Sequence, residues 1–122
     1  MTSKVDEFNH LIVEKKEQVD NLLVEKKHVN DLMNQYQDMA QTTEKLNRHL
    51  VERYYESRML SSIEQNSDIF RHGQQQALNA LQDQQSKIDR DIQYLNRDIT
   101  DIERKRNIEL QIEHERGKIN EH

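Results

Sequence analysis

Starting at Val5, alternating steps of three and four residues land on Val5, Phe8, Ile12, Lys15, Val19, Leu22, Lys26, Val29, Met33, Tyr36, Ala40 and Thr43. Nine of these twelve are apolar. A mean spacing of about 3.5 residues keeps one helix face turned toward a neighbouring helix as both wind. Leu11, Leu23, Leu32, Met39 and Leu46 broaden the stripe along one flank, which suits a helix with more than one neighbour. Lys15 and Lys26 interrupt the seam. Their alkyl stems can lie in the groove while the ammonium groups reach water, or they can act as register devices.

The second half repeats the pattern more strictly. Leu78, Leu81, Gln85, Ile88, Ile92, Leu95, Ile99 and Ile102 follow the same alternation, and a phase shift onto Ile108, Ile112 and Ile119 is expected after that, with Arg106 at the position the old register would fill. Acid–base pairs one helical turn apart, Glu44 with Arg48, Asp83 with Lys87 and Asp101 with Lys105, add a few tenths of a kcal/mol each.

Between the two seams the pattern loosens. Leu46, Leu50, Tyr54, Leu60, Ile63, Phe70 and Ala77 stay near a helical stripe, with polar gaps. Ser61-Ser62 and Asn66-Ser67-Asp68 are clusters of turn and N-cap residue types. The expectation is a first helix over about 4–60, a reversal over about 61–68, and a second helix over about 69–118. A reversal at His72-Gly73 is the second choice, and one unbroken helix is the alternative. The expected fold is therefore all-α: a long antiparallel two-helix hairpin, coiled-coil-like, completed by partner helices in a bundle.

Composition supports helices and excludes much else. The 122 residues include no Pro, no Cys, no Trp and only two Gly. A β-rich or α/β fold needs turns too often for that supply. Without cysteine there is no disulfide framework and no thiolate chemistry. Charged residues make up 34% of the chain and the net charge is −5, with acids and bases spread evenly over both halves. The densest cationic patch, Arg104-Lys105-Arg106, sits beside Asp101 and Glu103, so no coherent basic stripe exists for nucleic acid. Leu11-Ile12-Val13 and Leu22-Leu23-Val24 are far short of a membrane span. The acidic start, Met1 to Glu7, lacks the apolar core of a signal peptide. The expected location is cytoplasmic, with any export taking a route without a cleaved signal.

Little in the sequence points to catalysis or to a cofactor. Glu25 and His28 have the Glu-x-x-His spacing of a helical di-metal site, and so do Glu7 and His10, but such a site also needs two further inward glutamates, and coincidence is the better reading. There is no metal-protease motif, no phosphate loop and no nucleophile elbow. A non-enzymatic protein is expected, with binding as its task. Its expected partner-binding seam is Phe8, Ile12, Val19, Leu22, Leu23, Val29, Met33, Tyr36, Leu81, Ile88, Ile92, Leu95, Ile99 and Ile102. Tyr54 and Tyr55 suit a wedge near the reversal, and Tyr94 and Asp98 place a phenol and a carboxylate one turn apart.

The segment Phe70-Arg71-His72-Gly73-Gln74-Gln75-Gln76-Ala77-Leu78, with the Gln/Asp/Arg-rich run to Arg106, carries a resemblance. With the length, the acidity and the lack of Cys and Pro, it resembles the small helical accessory proteins encoded beside LXG-domain toxins of type VII secretion systems. These look like WXG100 helical hairpins. The resemblance implies a chaperone or targeting role: pairing with the N-terminal helical domain of an LXG-type toxin, together with a second small helical protein. It also implies that a Tyr-x-x-x-Asp/Glu export motif falls on Tyr94 and Asp98. The Trp-x-Gly turn has no match, since Phe70 lies three residues before Gly73 and Trp is absent. A self-associating coiled-coil spacer or tether is the alternative function. The Ile88–Ile102 seam supports it, because isoleucine at both seam positions favours higher-order homo-oligomers.

Overall fold

The computed structural model describes residues 3–120, with side chains described up to Lys118. It holds two helices, α1 (Lys4–Arg53) and α2 (Leu60–Asn120), and no strand among the described residues. They pack against each other as an all-α antiparallel hairpin. Ser3 opens α1: its hydroxyl accepts the Asp6 N–H at 3.1 Å and its carbonyl accepts the Glu7 N–H at 3.0 Å. Asp6 and Glu7 add negative charge to the first turn, where the helix dipole favours it.

The reversal falls earlier than the sequence suggests. Residues 54–59 break the helix, so 61–68 belongs to α2, and so does His72-Gly73. Two short turns make the break, with the Ser57 N–H donating to the Tyr54 carbonyl and the Leu60 N–H donating to the Ser57 carbonyl. The Ser57 hydroxyl also accepts the Met59 N–H at 3.1 Å. One serine thus satisfies two backbone donors at the start of α2, and the turn uses neither glycine nor a positive φ. Tyr54 is half-buried just past the end of α1, and Tyr55 is exposed.

Two compact units divide the hairpin. The terminal unit joins the chain up to Glu25 with the chain from Ile88, and the turn unit is Lys26–Lys87. In the terminal unit Ile12, Ile88 and Ile99 are buried, with Val5, Phe8, Val19, Leu22, Ile92, Leu95 and Ile102 half-buried around them. Two polar bonds cross its arms: Lys15 Nζ to Asp98 Oδ2 at 3.4 Å, and Arg106 Nη1 to Asn9 Oδ1 at 3.2 Å. A forward step along α1 therefore meets a backward step along α2, which is the antiparallel register.

The expected phase shift after Ile102 is met only in part. Arg106 and Glu109 are half-buried and continue the old stride, and Ile108 is 53% exposed, but Ile112 is half-buried, as the shifted pattern has it, while Glu113 is exposed. The Ile119 side chain lies outside the described residues. A long side chain that can reach water lets Arg106 hold the old register for one more turn before the seam steps onto Ile112. Its stem lies in the seam while its guanidinium donates to Asn9 and to Asn107 Oδ1. From Glu113 to Lys118 every side chain is exposed.

In the turn unit the seam is thinner. Val29 is fully buried, and Met33, Tyr36, Leu81, Leu50 and Ile63 are half-buried. Leu32, Val51, Tyr54, Leu60 and Leu78 are half-buried as well, and between these positions stand small or polar ones: Ala40, Thr43, Asn47, Ser67, Gln74 and Gln85. Both Ala77 and Leu78 turn inward, as do Thr43 with Glu44 and Leu50 with Val51. These doublets mark a place where steps of four follow one another and the winding of the pair relaxes.

Candidate interaction surface

Thirteen of the fourteen residues expected to form a partner-binding seam face the hairpin's own second arm, buried or half-buried; Leu23 is the exception, 48% exposed. The seam itself holds α1 to α2, and its flanks are what face outward. Glu44 also departs from expectation. Its carboxylate takes two bonds from Arg71 across the arms, Nε at 3.0 Å and Nη2 at 2.8 Å, instead of pairing along the helix with Arg48. This fork raises the pKa of Arg71 above its already high ordinary value, the hydrogen bonds that Arg71 donates to Glu44 being the main cause. Asp68 adds a second carboxylate at 3.6 Å from Arg71 Nη1.

Those charges mark one flank of the turn unit. Glu44, Asn47, Arg48, Val51, Glu64, Ser67, Asp68 and Arg71 line a single groove there. A second groove on the same side is lined by Ala40, Gln41, Glu44, Arg71, Gln74, Gln75 and Leu78. Within the first groove Ser67 is buried and its hydroxyl finds no protein partner.

The other flank of the turn unit is different. Phe70 and Arg71 are successive residues, about 100° apart, and straddle the seam. With Phe70 go Asn66, Gly73, Ala77, Ala80 and Gln84 on α2, at helical spacing. Facing them across the seam, α1 presents Leu32, Gln35, Met39, Thr42 and Leu46. None of these eleven residues is formally charged. Phe70, Met39 and Leu46 are 45%, 55% and 57% exposed.

Helical spacing also corrects the single flank expected for α1. In the turn unit Leu32, Met39 and Leu46 are separated by whole heptads and share a side, whereas in the terminal unit Leu11 and Leu23, twelve residues apart, fall on opposite edges of α1. Exposure alone, which the sequence can suggest, does not separate the two sides. The Glu44–Arg71 fork does, because it shows which edge of α1 faces which edge of α2.

Tyr94 and Asp98 lie in the terminal unit and do not act on each other. The Asp98 carboxylate takes the Lys15 ammonium. Tyr94 is 64% exposed, with the Arg97 guanidinium 6.0 Å from its ring centroid. Its ring borders an open groove with Gln18, Asn21, Leu22, Asp91 and Leu95. Among the described residues no group of three or more His, Asp or Glu is placed to hold a metal ion. No described helix is long and apolar enough to cross a membrane. No protein-family model, curated protein or solved structure matches the chain.

Proposed function

We propose that the chain is a non-enzymatic helical partner that contributes its two arms to a larger bundle. The observation that supports this most directly is apolar surface left outside a seam that is already filled. Met39, Leu46 and Phe70 remain exposed on one flank of the turn unit. A cluster of such residues on one flank is a surface for another helix.

The resemblance in residues 70–106 names the partner class: the N-terminal helical domain of an LXG-type toxin. The chain then chaperones that domain or helps target it to a type VII secretion apparatus, with a second small helical protein in the complex and Tyr94 and Asp98 as the export motif. The self-associating spacer has less support, because the Ile88–Ile102 seam on which it rested is engaged within the chain.

Co-expression with the helical domain of an LXG toxin encoded beside the gene tests the reading. The expected result is a complex that co-elutes on size exclusion and weakens when Met39 or Leu46 becomes Glu. The absence of any neighbouring LXG toxin, or of a stable complex, would overturn it.

A further inference from the structure

We infer that the turn between α1 and α2 is a hinge, through which two copies of this chain exchange arms to form a domain-swapped dimer. This depends neither on the toxin reading nor on the exposed flanks. The turn lacks what normally fixes a reversal. Tyr54-Tyr55-Glu56-Ser57-Arg58-Met59 contains neither glycine nor proline, and none of its residues has a positive φ. A helix commonly ends at a left-handed glycine, with proline soon after. Here every residue can join a helix. The Ser57 and Leu60 N–H bonds and the Ser57 hydroxyl close the reversal, and a helix running through 54–59 replaces them with its own bonds.

The two seams also stay in phase across the turn. From Val29, steps of seven reach Tyr36, Thr43, Leu50 and Ser57, then pass Glu64 and Arg71 to Leu78, Gln85, Ile92 and Ile99. All of these except Glu64 and Arg71 are buried or half-buried. One unbroken helix therefore carries both seams on one side. A turn that shifted the phase would send the two seams to different sides, and a second copy could close only one of them.

The register points the same way. Asn30 with Gln85, Glu44 with Arg71 and Asn9 with Arg106 share one midpoint, the Ser57–Arg58 bond. Two straightened copies, antiparallel about a twofold axis at that bond, set α1 of each against α2 of the other in the hairpin's own register. The same cross-arm bonds then form between copies, and the Ile88–Ile102 seam stays engaged, now by the other copy's α1. No new interface is needed, and the small Ser57 lies at the axis.

Exchange requires the arms to part, so refolding at two concentrations is the test. Chains unfolded in urea and refolded at about 200 µM are expected to give a dimer by light scattering, and those refolded at about 1 µM a monomer. Ser57→Ala removes the cap and favours helix, so it should raise the dimer fraction ~2-fold or more. Three glycines inserted between Glu56 and Ser57 spare the hairpin but interrupt the long helix, so they should lower it by ~10-fold. The chain has no cysteine, so single cysteines can report the exchange. Asn30→Cys and Gln85→Cys chains refolded together at high concentration should be joined by a short bis-maleimide, whereas the same chains folded separately and then mixed should not. A wild type that stays monomeric after refolding at about 200 µM overturns the proposal. So does a dimer that the inserted glycines leave intact, or one in which the two cysteine chains are not joined.

Discussion

In the terminal unit isoleucines fill the seam and charges line its sides. Ile12, Ile88 and Ile99 are buried, and Glu7, Glu14, Glu25, Asp91 and Asp98 occupy the flank that carries Tyr94. In the turn unit the distribution is reversed along part of its length. Ser67, Asn47, Gln74 and Ala40 sit in the seam, while Leu32, Met39, Leu46 and Phe70 stand beside it. Both units leave large apolar residues exposed, among them Leu11, Leu23, Val24 and Ile108 in the terminal unit and Met39, Leu46, Ile69 and Phe70 in the turn unit. What differs is the seam, which is isoleucine-rich in one and interrupted by small and polar residues in the other. A seam interrupted by small and polar residues gives less burial per layer, so the turn unit gains less from closing on itself.

The largest expected effect tests the terminal unit. Ile99→Ala should lower unfolding stability by roughly 2–4 kcal/mol in urea titration, since it leaves a cavity between packed isoleucines. The same truncation at Met33, half-buried in the thinner seam, should cost clearly less, and equal losses would break the contrast. Native-state hydrogen exchange should show the same order without mutation. Amides of residues 88–102 are expected to exchange more slowly than those of 40–51 and 67–78.

A change of opposite sign comes next. Ser67 buries a hydroxyl with no protein partner, so Ser67→Ala should raise the thermal midpoint, by about 1 kcal/mol of stability. A loss there would mean that the hydroxyl is satisfied by ordered water. The smallest effect belongs to the Glu44–Arg71 fork. Both side chains are about half exposed, so Glu44→Gln should cost only about 0.5 kcal/mol, and less still at high salt.

Much of this organisation can be read from the residues themselves. All twelve positions of the α1 stripe and all eight of the α2 stripe turn inward, because a 3–4 stride can serve only one face of a helix. The turn was harder to see. Asn66-Ser67-Asp68 has the composition of a cap, yet it lies inside α2, while a single Ser57 does the capping. Cap residues act only where the backbone leaves donors unsatisfied, and the pairing of the arms determines where that is. The same pairing keeps Arg106 in the seam by giving it Asn9 as a partner, which no pattern within α2 reveals.

By itself the sequence determined that the chain is all-α, that it has two seams, and which residues line them. Periodicity and helix propensity are local properties, and neither depends on what the helix packs against. The tertiary structure decided where the chain reverses, which arm positions face each other, and hence which of the leftover apolar residues share a side. Those outcomes depend on contacts between residues far apart in the chain, such as Lys15 with Asp98 and Glu44 with Arg71. A one-dimensional pattern does not contain them.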